Sequence, residues 1–501
     1  MFDGIWFGVE ALFQPAVLIA LAGGVFLGLT VGAIPGLNDT ITIAILIPLT
    51  FGMNPYVALA ILIGVYCASS CGGGIPAILI NIPGTASAAL TSLDGYSMSR
   101  NGETGKALGL TITSSIFGGL ASSLCLLLFA PFLAKQALRF GPPEYFMLAI
   151  LGLSTVVGMA GKNISKNLLS MAFGLLLSTV GMSPQAGYAR FTFGIPNLLD
   201  GLSIVSMIIG LYGITSTLEL VETFEKSSFV KEFKRIKAEF PNRELRKRLY
   251  PTWIKSSMIG NILGVIPGAG MTMAIYMAYE RAVQANPHLE FGTGVPEGIA
   301  APESADNAVV ASSMVPLITL GVPGNSTSAL FLGALAIHGL RPGPSLFRES
   351  PDIAYLLVLG FLLGNLIMIP LSFAFCNMLA TPVLKLKKEI LSAIVLVFCV
   401  TGAFAVGNNS FNIVLIIVFG MVGYLFKKFH IPTSPLILST VLGSMMESNW
   451  IQSMTYANGS LSVFVTRPVS LILVIVTLLN LAMPFIKKRK ANKGNKAAAS
   501  V

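Results

Sequence analysis

The chain has 501 residues, of which 54% are hydrophobic and only 11% charged, and its mean hydropathy is +0.78. A soluble globular chain carries about 25% charged residues, so a soluble domain of any size is excluded and an all-α polytopic membrane protein is expected. The net charge of +10 does not predict a nucleic-acid partner, because the basic residues are confined to a few short segments.

Residues 1–99 contain no Lys or Arg. A secretory signal needs a basic leading region, so the first apolar run is expected to stay as a membrane span. Asp3 and Glu10 precede it without a balancing base, which places the N-terminus outside. Apolar runs near 20 residues recur, for example over 107–134, 353–380 and 470–486, and such a run crosses the hydrocarbon core as a helix. Residues 226–255 carry ten Lys/Arg against three acids, and the tail 487–496 carries six with no acid. Smaller basic segments occur at 385–388 and 427–428. By the positive-inside rule these segments are cytoplasmic. An outside start and an inside end require an odd number of crossings, and about eleven spans (range about 10–12) are expected together with re-entrant pieces.

The cysteines Cys67, Cys71, Cys125, Cys376 and Cys399 all lie in apolar segments. They read as small buried hydrophobes, neither a disulfide framework nor a metal site.

Two blocks of the sequence repeat. At an offset of 232, Gly28, Gly32, Ile34, Pro35, Gly36, Thr40 and Ile43 fall on Gly260, Gly264, Ile266, Pro267, Gly268, Thr272 and Ile275. At an offset of 240, "IPAILINIPGTASAAL" (75–90) falls on "VPLITLGVPGNSTSAL" (315–330). The extra residues of the second copy are expected in a surface loop at 285–294. One copy follows an outside N-terminus and the other follows the basic segment, so the copies enter the membrane from opposite sides. This is the inverted repeat of many secondary transporters. The expected organisation is a first repeat half at 15–220, a basic cytoplasmic loop at 221–255, a second half with scaffold helices at 256–480, and a basic tail at 487–501.

Each copy holds two Pro-Gly breaks inside apolar sequence: Pro35-Gly36 and Pro83-Gly84, then Pro267-Gly268 and Pro323-Gly324. Unpaired backbone costs several kcal/mol in lipid and survives only where protein or a watery cavity satisfies it. A single Pro-Gly reads as an ordinary loop turn. Four of them, placed symmetrically and flanked by small polar residues, point to a binding site. The predicted site comprises Asn38, Asp39, Thr40, Asn81, Thr85, Ser87, Gly270, Thr272, Asn325, Ser326, Thr327 and Ser328 beside the four Pro-Gly pairs. Free N–H groups at the start of a half-helix suit a carboxylate, and free carbonyls at the end of one suit Na⁺.

In "VPEGIAAPESADNAVVASSMVP" (295–316), Glu303, Asp306 and Asn307 share one helix face, and intramembrane acids are functional candidates. Glu297 reads either as part of that helix or as part of an aqueous loop that precedes a start at Pro302. Residues 282–340 hold no Lys or Arg. A bound polyanion would therefore meet acids and only fractional helix charges, so a cation, Na⁺ or H⁺, is expected to bind with it. No other cofactor and no resident metal is expected.

The stretches "GAIPG", "NIPGTASA", "VIPGAG", "PEGIAAPESADNA", "GVPGNSTSAL", "YARFTFGIPNLLDGLS" and "HGLRPGPSLF" resemble the large membrane subunit of tripartite tricarboxylate transporters, over roughly residues 15–470. The resemblance implies a bacterial inner-membrane protein, in which the outside N-terminus expected from charge would be periplasmic and the C-terminus cytoplasmic. It also implies a small membrane partner subunit and a periplasmic solute-binding protein that delivers substrate. Na⁺- or H⁺-driven uptake of citrate or a related di- or tricarboxylate is implied, with an elevator-type motion suggested by other carriers that have re-entrant hairpins. Membrane lipid is the remaining partner, and a homodimer is one of the assemblies left open. A membrane enzyme is disfavoured because His288, His338 and His430 are scattered and no HExxH occurs. A channel or uncoupled facilitator for organic anions is the alternative.

Overall fold

The computed structural model describes residues 2–34, 37–85, 88–158, 164–183, 187–222, 237–267, 271–379, 382 and 388–481. The basic tail and the segment 223–236 lie outside the described residues.

The chain opens with α1 (Phe2–Leu12), α2 (Pro15–Gly32), α3 (Asp39–Leu49), α4 (Pro55–Ile80), α5 (Ala88–Arg100) and α6 (Thr104–Ala137). Next come α7 (Pro142–Gly158), α8 (Ile164–Ser178) and two short antiparallel strands, β1 (Gly181–Met182) and β2 (Ala189–Arg190). α9 (Ile204–Ile208) and α10 (Thr215–Glu222) flank a π-helical stretch at Ile209–Ile214 and form one continuous helix with it. The second copy comprises α11 (Arg243–Val265), α12 (Met271–Ala285), α13 (Pro296–Ser312), α14 (Met314–Leu320), α15 (Ser326–Ile337), α16 (Pro344–Glu349) and α17 (Pro351–Met378). The remainder is α18 (Lys388–Ala405), α19 (Phe411–Lys428), α20 (Ser434–Tyr456), α21 (Val463–Thr466) and α22 (Pro468–Leu481). Proline opens α2, α4, α13 and α17, where its missing N–H costs nothing.

Six helices among the described residues are long and apolar enough to cross a bilayer: α2, α4, α6, the 204–222 helix, α17 and α19. Shorter apolar helices include α3, α8, α15 and α22. The fold is therefore an all-α polytopic membrane protein. α3 and α15 are short because each begins just past a Pro-Gly element. Eleven or twelve residues rise only about 16–18 Å, well under the ~30 Å core.

Two compact units form. The first holds residues 1–135, 205–266 and 270–425, and the second holds 136–204, 267–269 and 426–501. In the second unit, α20 packs on α7 and α8, and Arg467 donates to the buried Glu144 at 2.6 Å.

In the first unit the repeat is visible as packing. α2 lies on α4 as α11 lies on α13. A Cβ at Gly28 would press on Val65 and Ala68, and one at Gly260 would press on Ala305 and Ala308. Those contact residues are themselves related by the offset of 240. Glycine at both places lets the backbones approach within the distance that membrane helix pairs need, where apolar burial gives no drive. The outer face of α2 exposes Ile19 and Phe26, while Val17, Leu21, Val25 and Leu29 are buried. The interior continues through Ala68, Ile75, Leu108 and Ile112 to Trp253, Met368 and Phe375.

Candidate functional site

The site is built from helix starts. Asn38 caps α3, its side chain accepting the Ile41 N–H at 2.8 Å. Asn325 caps α15 with a capping box, accepting the Ser328 N–H at 2.8 Å while the Ser328 hydroxyl accepts the Asn325 N–H at 2.8 Å. A small amide at this position satisfies an otherwise orphaned backbone donor. The two capped ends come from different repeats, and they meet. Thr327 Oγ1 donates to Asp39 Oδ2 at 2.8 Å and lies 2.8 Å from Thr40 Oγ1. A hydroxyl has one proton. Since that of Thr327 goes to Asp39, Thr40 must donate to Thr327. All three side chains are buried.

Tyr66 on α4 ties the same corner together. Its hydroxyl accepts from Asn325 Nδ2 at 2.8 Å and lies 3.0 Å from Ser313 Oγ. Its ring packs against Phe331 and Phe361 at centroid distances of 5.8 and 6.0 Å. Tyr66 occupies the position that corresponds, at the offset of 240, to Asp306.

The second Pro-Gly of each copy folds against its own repeat in the same way. The Ile82 N–H reaches Pro76 O at 3.4 Å, as the Val322 N–H reaches Pro316 O at 3.3 Å. A Cβ at Gly84 would collide with the carbonyl of Gly32 and the backbone of Gly73. One at Gly324 would collide with the carbonyls of Gly264 and Ser313. Only glycine lets these loops seat. Asn81 is in the left-handed region at φ 56°, and its counterpart Gly321 is at φ 74°. Asn81 is exposed at the end of α4, so its role there is to turn the backbone. Pro83 is half-buried beside it, and Pro323 is buried.

The acid face of α13 is entirely interior: Glu303, Asp306 and Asn307 are all buried. Glu303 accepts from Thr91 Oγ1 at 2.7 Å and Ser115 Oγ at 2.8 Å. Asn307 Nδ2 donates to Glu303 O at 3.0 Å, and Ser122 Oγ donates to Asn307 O at 3.1 Å. The five ion pairs among the described residues join Lys106 to Glu103, Arg190 to Glu447, Arg248 to Glu297, Arg348 to Glu349 and Arg467 to Glu144. None of them reaches Asp39 or Glu303, whose charge is met by hydroxyls.

Of the predicted positions, Asn38, Asp39, Thr40, Asn325, Ser326, Thr327 and Ser328 come together. Thr85 is buried against Gly73, and Pro267 is buried at the end of α11. Thr272 is exposed in the first turn of α12. Pro35, Gly36, Ser87, Gly268 and Gly270 lie outside the described residues. Glu297 belongs to the helix, in the first turn of α13, and Arg248 grips it with two bonds of 2.6 and 2.8 Å. The loop expected at 285–294 is non-helical from Asn286. Asp94 Oδ1 pins it by accepting the N–H groups of Gly292, Gly294 and Val295.

Tyr66, Ser313, Thr91 and Ser115 were missed from the sequence. Tyr66 had a signal, since it stands at the repeat position of Asp306. The hydroxyls had none, because Ser and Thr are ordinary in membrane helices and usually bond their own backbone.

A polytopic helical membrane protein with duplicated, interrupted helices and buried acids is the class this architecture defines. The model of the Tripartite tricarboxylate transporter TctA family matches residues 18–438, and the chain belongs to that family. It is similar to an Agrobacterium vitis protein described as "Uncharacterized 52.8 kDa protein in TAR-I ttuC' 3'region". The two are 36% identical over 472 residues, which is 94% of this chain and 93% of the relative. A second Agrobacterium vitis protein, "Uncharacterized protein in TAR-II ttuC' 3'region", is 33% identical over 236 residues, 46% of this chain and 97% of that relative. No solved structure matches the chain.

Proposed function

We propose that the protein is a cation-coupled carrier that takes up a di- or tricarboxylate such as citrate across the bacterial inner membrane. In this reading a periplasmic solute-binding protein supplies the substrate and a small membrane subunit accompanies the chain, as the family name "tripartite" suggests. The observation that carries it is the joint of Asp39 and Thr40 with Thr327, where the starts of α3 and α15 come together from the two repeats. Each start contributes about half a positive charge, and first-turn N–H groups that the Asn caps do not take are available to an anion.

Asp39 stands in the same place, so an incoming carboxylate meets a negative side chain. Na⁺ or H⁺ bound there removes that repulsion, which couples the two binding events. The buried Asp306 and Glu303 extend the set of acids available to the cation. An elevator motion of the first unit's broken-helix core would carry the site between the two sides.

The test is uptake of labelled citrate and other di- and tricarboxylates into proteoliposomes that hold this chain with its small subunit and binding protein. Accumulation is expected only with an imposed Na⁺ or proton gradient. Asp39→Asn and Asp306→Asn are each expected to change the cation titration. Uptake that only equilibrates the substrate, at the same rate with and without the ion gradient, or conductance far above carrier rates, would overturn the proposal in favour of a facilitator or channel.

A further inference from the structure

The first unit contains a second polar site, remote in character from the acid-lined one. A cavity of about 300 Å³ opens between α11, α12 and the start of α13. Its polar walls include Arg248, Lys255, Arg281, Asn286, His288 and Glu297. Glu297 is the only acid among the described residues that line it, and the Arg248 fork already occupies both of its oxygens. Lys255 and Arg281 have no carboxylate within 4.0 Å among the described residues. The lining therefore carries a surplus of about two positive charges.

What lies beside those charges selects the kind of anion. On α11 the bases end at Lys255. The helix then continues with Met258, 58% exposed, and Ile262, 59% exposed, one and two turns further along the Lys255 face. On α12, Arg281 is the one Lys or Arg, and Met277 one turn away is 45% exposed. Lys255 thus ends a charged helix segment that gives way to an exposed apolar one, and Arg281 stands one turn from an exposed apolar side chain. A small soluble anion would use the charges and leave the apolar stripes unused. A phospholipid uses both, with its phosphate between Lys255 and Arg281 and its acyl chains along the stripes.

We propose that this cavity binds the headgroup of an anionic phospholipid, and that the lipid braces the two legs of the second broken-helix hairpin, α11 and α12. The site is independent of the carboxylate-transport reading and of the residues that reading uses.

The experiment is thermal unfolding of the full chain in nanodiscs of phosphatidylcholine with a rising mole fraction of phosphatidylglycerol. Tm is expected to rise with phosphatidylglycerol in the native protein. In Lys255→Gln/Arg281→Gln the rise is expected to vanish, or to need ~30-fold more of the lipid, at about 1 kcal/mol for each of the two basic residues near a membrane surface. Lys255→Arg/Arg281→Lys should titrate like the native chain. Inorganic phosphate added to pure phosphatidylcholine discs should leave Tm unchanged. An unaltered titration in the Gln variant would overturn the proposal. A rise with inorganic phosphate alone would overturn it too, assigning the cavity to a soluble anion. Native mass spectrometry of the wild-type protein adds a readout that needs no variant, and failure to retain phosphatidylglycerol over phosphatidylcholine would count against the site.

Discussion

At the scale of the residue, the joint between the repeats rests on a single hydroxyl. Thr327 gives its one proton to Asp39 and receives that of Thr40. Thr327→Val keeps the shape of the side chain and removes the relay, leaving a buried carboxylate short of a donor. Such a loss costs about 1–3 kcal/mol, and a drop in Tm of the purified protein with a loss of uptake is expected. Thr327→Ser should restore both. If Thr327→Val unfolds and transports like the native protein, the hydroxyl is not what joins the two helix starts.

Glycine sets the same scale elsewhere. Gly84 and Gly324 stand against backbone carbonyls on the sides that a side chain would need. These positions are legible from sequence because glycine beside proline breaks a helix, and a membrane helix is broken only where the chain must turn or seat closely. Tyr66 was not legible as a site residue. An aromatic in an apolar helix most often packs, and only the fold brings its hydroxyl to Asn325 and Ser313.

At the scale of the element, the broken helices behave as capped, independent half-helices. α3 and α15 each begin with an asparagine that accepts an N–H three residues on. The periodic apolar pattern, the Pro-Gly break and the small polar residue after it announce such a start in sequence. The loop between α12 and α13 is a different kind of element. Three of its N–H groups are held by one carboxylate oxygen of Asp94 on α5, and Tyr279 bonds the other oxygen at 3.2 Å. Asp94→Ala is therefore expected to release the loop. Limited chymotrypsin digestion checks this, because Phe291 lies within the loop. Cleavage after Phe291 should be faster in Asp94→Ala than in the native protein, and an unchanged rate would show that other contacts hold the loop.

At the scale of the whole molecule, charge decides which way the chain is threaded. Within the second unit, α8 starts near Lys166, whose ammonium donates to Phe429 O at 2.6 Å. β1 follows the far end of α8 and pairs with β2, next to the exposed Phe191 and Phe193. By the positive-inside rule the Lys166 end is expected in the cytoplasm and the loop of Phe193 outside. In a cysteine-free background, Phe193→Cys is expected to react with an impermeant maleimide on intact cells. Phe429→Cys should react only after permeabilisation. The opposite pattern would reverse the orientation proposed for the transporter.

The sequence by itself determined that this is an all-α membrane protein built from a duplicated unit with interrupted helices. It could do so because bilayer thickness, apolar run length and the rarity of Pro-Gly in lipid are local constraints, written into consecutive residues. It also marked Asp39, Thr327 and Asn325, since each stands a few residues from a break. Only the tertiary structure decided that Thr327 of one copy meets Asp39 of the other, across 288 positions. It alone showed that hydroxyls of α5 and α6 hold Glu303, and that Arg248 takes Glu297 out of the acid set. Those pairings depend on which helix faces pack together. The approach of whole backbones at Gly28 and Gly260 sets that packing, and no periodicity along the chain specifies which side chain waits on the other side.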